Sequence, residues 1–450
     1  MEKQWEEMSA DEKQEAQFQK LLTPKDPEGN DLQFQSPEAE ATYKASINRI
    51  KDAVQLKKTP DRVPLTLLPS MFPFINAGLS IKEAMYDYDK TVAAFRKFIL
   101  EFKPDMHIGA AQVGPGRFYE ILDYKLYAWP GHGVAPEYCY QCVEKEYMAA
   151  HEYDLLMTDP SFYFRNFYLP RVFGALEGFQ MLPPLTGILE IYGVAFNFIP
   201  YALPPVQATL KALMDAGAEA LKWATAIGGL NGELATSGFP NILGGFTKAP
   251  FDTIGDTLRG TKGIIMDMYR QPDKLLKAME ALVPIMIGMG IGAAQQTGNP
   301  QIFIPLHKGA DGFMSDEQFK TFYWPTLKAV MLGLIEGGCI PWPALEGHWG
   351  SRLEVIQDIP KGKTMWMVDQ TDMAKAKETL GKNACLIGNV SSSMLKLSMP
   401  DKVKAYCKKL IDTAGKGGGF IMGNGAFFDE AKPENVKAMV DATKEYGVYK

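Results

Sequence analysis

The chain has 450 residues, of which 46% are hydrophobic and 22% charged, and its formal net charge is −6. That composition suits a globular protein with a large core and excludes a disordered chain, a collagen-like repeat and a disulfide scaffold. An acidic balance without a basic stripe argues against nucleic acid as a partner.

Residues 1–58 are charge-rich and helical in pattern, opening with "MEKQWEEMSADEKQEAQFQKLL" and broken at "TPKDPEGND". They predict an N-terminal helical extension, with residues 59–450 as the main body. The opening stretch lacks the apolar segment of a signal peptide. The most apolar stretches, "GILEIYGVAFNFIPYALPP" and "ALVPIMIGMGIGAA", are interrupted by Pro, Gly or polar residues, unlike a membrane span. A soluble, cytoplasmic protein without a membrane partner is expected.

Next, "DRVPLTLLPS" reads as a strand, "IKEAMYDYDKTVAAFRKFILEF" as an amphipathic helix and "PDMHIGAA" as a second short strand. This rhythm predicts βα units on a parallel sheet. Residues from about 128 to 250 interrupt it with aromatic-, Pro- and Gly-rich sequence around one long helix, "PPVQATLKALMDAGAEALKWATAIGGL". The region is read as a helical insertion near the mouth of a barrel, a source of pocket walls. Within it, Cys139 and Cys142 form a lone CxxC. Five cysteines without a signal peptide predict reduced thiols. The following "VEKEYMAAHEYDLL" reads as a helix whose start the two thiols straddle.

From residue 250 onward, strands and helices alternate. "PQIFIPLH" ends at His307, "CIPWPALEG" at Glu346, "KTMWMVDQ" at Asp369 and Gln370, "ACLIGNV" at Asn389 and "GGFIMGNG" at Asn424. Each strand ends in a polar residue and is followed by a helix. This is the sequence form of an α/β fold of the (β/α)8 TIM-barrel type, whose catalytic groups gather at the C-terminal ends of the strands. His348, in "EGHWG", is the pivotal residue. Zinc needs three protein ligands, and His348 with Glu346, plus His307 or Asp369, follows no recognised metal spacing. A histidine beside a carboxylate suits proton transfer. His348, Glu346 and Asp369 are therefore the expected catalytic residues. His307, Gln370, Asn389 and Asn424 are expected to bind substrate, and no metal ligand is assigned.

From about residue 60 to its end the chain resembles the uroporphyrinogen decarboxylase superfamily. The resemblance is carried by "DRVPLTLLP", "KPD", "YAWPG", "FMSDEQFKTFYWPTLKAVMLGLIEGG", "WMVDQTDMAKAKETLGKNACLIGNV" and "GGGFIMGNGAFFDEAKPENVKAMVDATKEYG". The superfamily includes the decarboxylase and zinc-dependent, corrinoid-linked methyltransferases acting on coenzyme M and on methoxylated compounds. Both are (β/α)8 barrels with the site at the strand C-termini. The decarboxylase binds its propionates through an arginine-rich signature; the matching stretch here, "LLPSMFPFINAGLS", has no arginine. Carboxylates favour bidentate Arg, so uroporphyrinogen is a poor substrate candidate. The methyltransferases hold zinc with a His-x-Cys pair and a late Cys. Here the first motif is His348-Trp349-Gly350 and Ala426 takes the late Cys place. With both thiolates missing, the resemblance does not carry zinc over. An oxygen-rich set of His348, Glu346 and Asp369 could hold a metal; without one, His348 or Glu346 would protonate a leaving oxygen.

The resemblance implies a methyltransferase component that exchanges a methyl group between a small methylated compound, such as a methoxylated aromatic, and a corrinoid (cobalamin) on a partner protein. A homodimer is also expected, because superfamily members often pair. The alternative is a decarboxylase-like lyase acting on a pyrrole-like or aromatic acid. A third reading keeps the barrel as a non-catalytic tetrapyrrole or corrinoid binder.

Overall fold

A computed structural model describes residues 3–26, 28–187 and 190–449. Its centre is a six-stranded parallel sheet: β1 (Gly245–Phe246), β2 (Gln301–Leu306), β3 (Ile340–Leu345), β4 (Met365–Val368), β5 (Cys385–Val390) and β6 (Phe420–Asn424), hydrogen-bonded in that order. Register is fixed over the whole length of the β2–β3 pair, from Gln301 opposite Ile340 to Leu306 opposite Leu345. All five strands expected after residue 250 are present. Hydrogen bonding continues past both edges of the sheet through single parallel bridges, which join Leu65 to Met422, Thr66 to Met106 and His107 to Asn241. The extended segments read as the first two strands thus lie between β6 and β1. They carry bridges rather than ladders, and Pro64 and Pro69, which lack an N–H to donate, punctuate the first of them.

Alternate residues of the strands face opposite layers, as the two-residue period of extended chain requires. Ile340, Trp342 and Ala344 of β3, Met365 and Met367 of β4, Ile387 of β5 and Ile421 of β6 meet in one buried cluster with Leu68, Met106 and Ile242. Leu345, Trp366, Val368, Leu386 and Met422 face the surrounding helices instead.

The N-terminal helices Ala10–Leu22 and Pro37–Gln55 begin at the serine caps Ser9 and Ser36. Their Phe18, Tyr43, Ile47, Ile50 and Val54 join the interior cluster of the sheet. Lys13 Nζ donates to the carbonyl of Glu336 at 2.9 Å and Gln14 Nε2 to that of Gly362 at 2.9 Å. Residues 336 and 362 precede β3 and β4, so these helices cover the N-terminal end of the sheet and leave its C-terminal end free for a site.

Helix Pro272–Thr297 is long and apolar enough, by length and composition, to cross a membrane. Here it is a packing element whose Leu275, Met279, Leu282, Met286 and Gly290 are buried. A Cβ on Gly290 would come within 2.5 Å of Leu334 in helix Trp324–Glu336, so glycine permits that close approach.

The elaborated region contains the expected long helix, Pro204–Thr236. The helix expected immediately after the CxxC does not form. Tyr127–Pro130 pairs with Gly133–Val134 and with Gln141–Cys142, so Cys142 lies opposite Tyr127 in a small sheet. Just beyond it, the N–H groups of Tyr147 and Met148 both donate to the carbonyl of Leu258, at 2.8 and 2.7 Å. Those long-range bonds hold the segment extended, and the helix starts only at Tyr153.

Candidate active site

The C-terminal ends of β1, β2 and β3 converge on a cluster of charged side chains. β1 runs into "TKAPFDTIGD", which folds as a helical segment, Pro250–Asp252 continuing through Thr253–Leu258. One helical turn separates Asp252 from Asp256, so both point toward the end of β2.

Asp252 is fully buried. It accepts a 2.6 Å hydrogen bond from the Tyr323 hydroxyl and 3.0 Å bonds from the backbone N–H groups of His307 and Lys308. It thereby fixes the direction in which the chain leaves β2. Burial pushes its carboxyl above the ordinary range, and the nearby charge of Asp256 adds to this.

Asp256 is surrounded by cations. Nδ1 of His307 donates to it at 2.6 Å and Nζ of Lys248 at 2.8 Å, and Nζ of Lys308 lies 3.2 Å away. Burial alone would raise its pKa, but the hydrogen bonds and charges of His307 and Lys248 outweigh burial and hold the carboxyl well below the usual range.

The second ring nitrogen of His307, Nε2, lies 3.7 Å from Glu346 Oε1 at the end of β3; the two side chains are 39% and 42% exposed. Burial opposes protonation of His307. The hydrogen bond and charge of Asp256, and then the charge of Glu346, prevail, and the pKa is raised above 6.5. Glu346 is raised above 4.5, first by burial; His307 works against this, while Asp252 and Asp369 add to it. The result is a histidine anchored through Nδ1 on a carboxylate, with Nε2 turned toward a second carboxyl group. That is the arrangement of a proton-transfer site.

Of the residues expected from the sequence, His307 and Glu346 are brought together, and Asp369 stands beside Glu346, where its Oδ2 accepts the Gly347 N–H at 2.9 Å. His348 is exposed, and among the described residues no side-chain hydrogen bond ties it to this cluster. Gly347 has φ of 80°, a conformation that favours glycine, and the chain swings so that His348 is exposed. Trp349 then locks the loop: Nε1 donates to the Glu346 carbonyl at 2.9 Å and the backbone N–H to Thr371 Oγ1 at 2.8 Å. Among the described residues the only recorded hydrogen bond of His348 is through its carbonyl, to Asp311.

Gln370 is exposed, with its backbone N–H on the Gly347 carbonyl. The amide nitrogen of Asn389 donates to the carbonyls of Asp369 and Thr371, and its oxygen accepts from Tyr406. The Asn424 amide is buried and bonded to the N–H and carbonyl of Leu68 and to the carbonyl of Ala426. Both asparagines thus spend their amides on bracing the chain.

Lys248, Asp252, Asp256, Lys308 and Tyr323 were not singled out from the sequence. The available signal was "FDTIGD", two aspartates at helical spacing just after a strand. Among the described residues no group of three or more His, Cys, Asp or Glu could hold a metal ion. Gly350 and Ala426, at the places of the methyltransferases' thiolates, offer no donor side chain, so the residues present do not fit that zinc set.

Two adjoining cavities open here. One, of about 300 Å³, is lined by Lys248, Asp256, His307 and Lys308 together with Tyr127, Cys142 and Glu144. The other, of about 170 Å³, is lined by Tyr119, Tyr124, Tyr127, Trp129 and Tyr140. Tyr127 is a wall of both.

The sequence profile of the uroporphyrinogen decarboxylase (URO-D) family matches residues 136–446. The chain is similar to the uroporphyrinogen decarboxylase of Psychromonas ingrahamii, 34% identical over 140 residues, covering 30% of this chain and 38% of that protein. It is also similar to that of Aeromonas salmonicida, 26% identical over 222 residues, covering 48% of this chain and 60% of that protein. It therefore spans less than two thirds of the length of these relatives. Among solved structures, a methyltransferase from Methanosarcina mazei shares the fold with a TM-score of 0.55 at 16% identity, over 90% of this chain and 98% of that one. The profile match runs through the candidate site from Cys142 to the helix after β6, and on that match the chain belongs to the uroporphyrinogen decarboxylase family.

Proposed function

We propose that the protein is a methyltransferase component that moves a methyl group between a small methylated compound and a corrinoid carried by a partner protein. The reading takes the sheet, completed by the segments around residues 65–66 and 106–107, as a (β/α)8 barrel acting at its C-terminal mouth in the cytoplasm.

One observation carries it: the two cavities that meet at Tyr127, beside His307, are small, about 300 and 170 Å³. Ligand pockets range from about 300 to 1,000 Å³, so these suit a compact donor rather than a tetrapyrrole bearing several carboxylates. Among the described residues the lysines lining them are Lys248 and Lys308 and no arginine does, too little positive charge for a substrate bearing several carboxylates. This weighs against the decarboxylase-like alternative. The exposure of His307 and Glu346 leaves the mouth accessible to an acceptor as large as a corrinoid, which acts here as a substrate delivered from outside.

In this reading the pocket orients the donor so that one methyl carbon faces the mouth. The bond from that carbon to its heteroatom breaks as the carbon passes to the acceptor. Where the heteroatom is oxygen, it leaves with the bonding pair and takes the proton that His307 holds at Nε2. Asp256 keeps the ring oriented and the imidazolium stabilised. Glu346, held toward its neutral form, is placed to exchange that proton with solvent. His348 is the second candidate for the acid, and the same measurement separates the two.

The test is methylation of reduced cobalamin followed by absorbance, with a panel of methylated and methoxylated compounds. Turnover with one donor, falling by 10²-fold or more in His307→Ala, is expected for a lost general acid. Turnover that survives His307→Ala but fails in His348→Ala would move the role to His348. No methylation by any donor, together with loss of carbon dioxide from a pyrrole-like or aromatic acid, would replace this reading with the lyase.

A further inference from the structure

We propose that the aromatic box is a binding site for the quaternary ammonium end of a small zwitterion, a trimethylammonio carboxylate, whose carboxylate is received in the adjoining cavity by Lys248, Lys308 and His307. The binding stands on the geometry below. Only the fate of the methyl group rests on the methyltransferase reading.

The walls of the box are four tyrosines and one tryptophan. These rings have electron-rich faces, and indole is the best of them for a cation. The rings meet at corners. Tyr119 and Trp129 are inclined at 60° with centroids 5.6 Å apart, and Tyr127 and Tyr140 at 86° with centroids 5.8 Å apart. A flat aromatic ligand sandwiched between two rings needs near-parallel faces with a gap between them. The near-parallel pair here, Tyr119 and Tyr124, is already in contact at 5.4 Å, with Phe173 stacked on Tyr124 at 4.8 Å. The enclosed space therefore suits a compact, rounded head.

The chemistry of the lining narrows the choice further. Among the described residues no carboxylate lines the box, so an ammonium bearing N–H groups would lose hydrogen bonds on entry, whereas a fully methylated one has none to lose. Negative charge stands just behind the wall. Trp129 Nε1 lies 3.4 Å from the Tyr86 hydroxyl, which donates to Glu120 at 2.7 Å. His132, stacked on Trp129 at 4.5 Å, is 2.8 Å from the same carboxylate. Among the described residues no lysine or arginine lies over any of the five rings.

Across the shared wall of Tyr127 the polarity reverses. Lys248, Lys308 and His307 gather around the single carboxylate of Asp256. The other ionised carboxylate on the lining, Glu144, is turned to the backbone N–H of Thr261. A ligand with a rounded cation at one end and a carboxylate at the other matches both cavities at once.

The experiment is calorimetric titration of the full chain with trimethylammonioacetate, its isostere with a neutral tert-butyl head, 3,3-dimethylbutanoate, tetramethylammonium and 4-methoxybenzoate. The zwitterion should bind at least tenfold tighter than the isostere, a preference of about 1.4 kcal/mol. Trp129→Leu and Tyr127→Leu should each reduce that preference. Equal affinity for the zwitterion and the isostere, tighter binding of 4-methoxybenzoate, or no binding of any probe would overturn the proposal. The ligand comparison on the unsubstituted chain decides the matter even if a variant fails to fold. Binding of the zwitterion with no methylation of reduced cobalamin would support this site and count against the methyltransferase reading. Methylation from another donor without an ammonium preference would do the reverse.

Discussion

Asp256 and His307 each set the protonation of the other, and the sign of the pH dependence follows from the pair. The folded pKa of His307 is raised above 6.5, so its stabilisation is complete below 6.5 and is lost as pH rises through the raised value. The folded pKa of Asp256 lies below 3.8, so its contribution is present above 3.8 and is lost as pH falls through the lowered value. Stability from this pair is thus greatest between those limits. In Asp256→Asn, Nδ1 of His307 loses its carboxylate. An NMR titration should then show the His307 pKa shifted downward, with the alkaline limb of any activity profile following it. An unmoved His307 titration would show that Asp256 does not control it. The sequence displayed His307 and Glu346 at strand ends, and those two do meet. It did not display Asp256, because that residue lies on a helical segment after a two-residue strand inside a stretch read as insertion. His348 drew attention by its neighbours in sequence, but it follows a positive-φ glycine, is exposed, and makes no side-chain hydrogen bond to the cluster among the described residues.

Asn424 shows what an element end demands. Its buried amide ties β6 to Leu68 through two hydrogen bonds, at 2.9 and 3.0 Å, and braces its own loop through a third, to the Ala426 carbonyl at 2.7 Å. Asn424→Ala would leave buried backbone groups without partners, at about 1–3 kcal/mol each. Chemical denaturation should show a loss of about 2–4 kcal/mol, with little change in affinity for a ligand that enters by the Tyr127 side. Arg352 does similar work beyond β3. It is fully buried, stacks over Phe319 at 4.8 Å, donates to the Met314 carbonyl at 2.5 Å and pairs with Asp316. In Arg352→Leu the Asp316 carboxylate, 58% exposed, turns to water, but the Met314 carbonyl loses its buried donor, a loss of about 1–3 kcal/mol in the same measurement. The strands were legible because each apolar run stops at a polar residue before a helix, and three of these helices open on the side-chain caps Ser315, Asp372 and Ser391. The role of a strand-end asparagine was not legible, because an amide that binds backbone and one that binds substrate look alike in sequence.

At the scale of the molecule, the N-terminal helices are part of the core rather than an appendage. Phe18 is fully buried in the cluster that fills the sheet interior. Phe18→Ala should destabilise the protein by about 3–5 kcal/mol, seen as a lower thermal midpoint, although the residue lies at the end of the sheet opposite the mouth. The charge-rich pattern of residues 1–58 announced helices but not this burial, since the face they cover belongs to strands some 300 residues further on.

The pairing of Leu65 with Met422 has a consequence for how the protein is made. During translation the apolar stretch from 63 to 68 leaves the ribosome early, but its neighbour in the sheet is synthesised more than 350 residues later. Contacts so distant along the chain form slowly and leave edges unpaired in the meantime. The two helices that emerge before that stretch pack against the same cluster as Leu68, so the nascent chain carries its own cover for the strand that must wait longest.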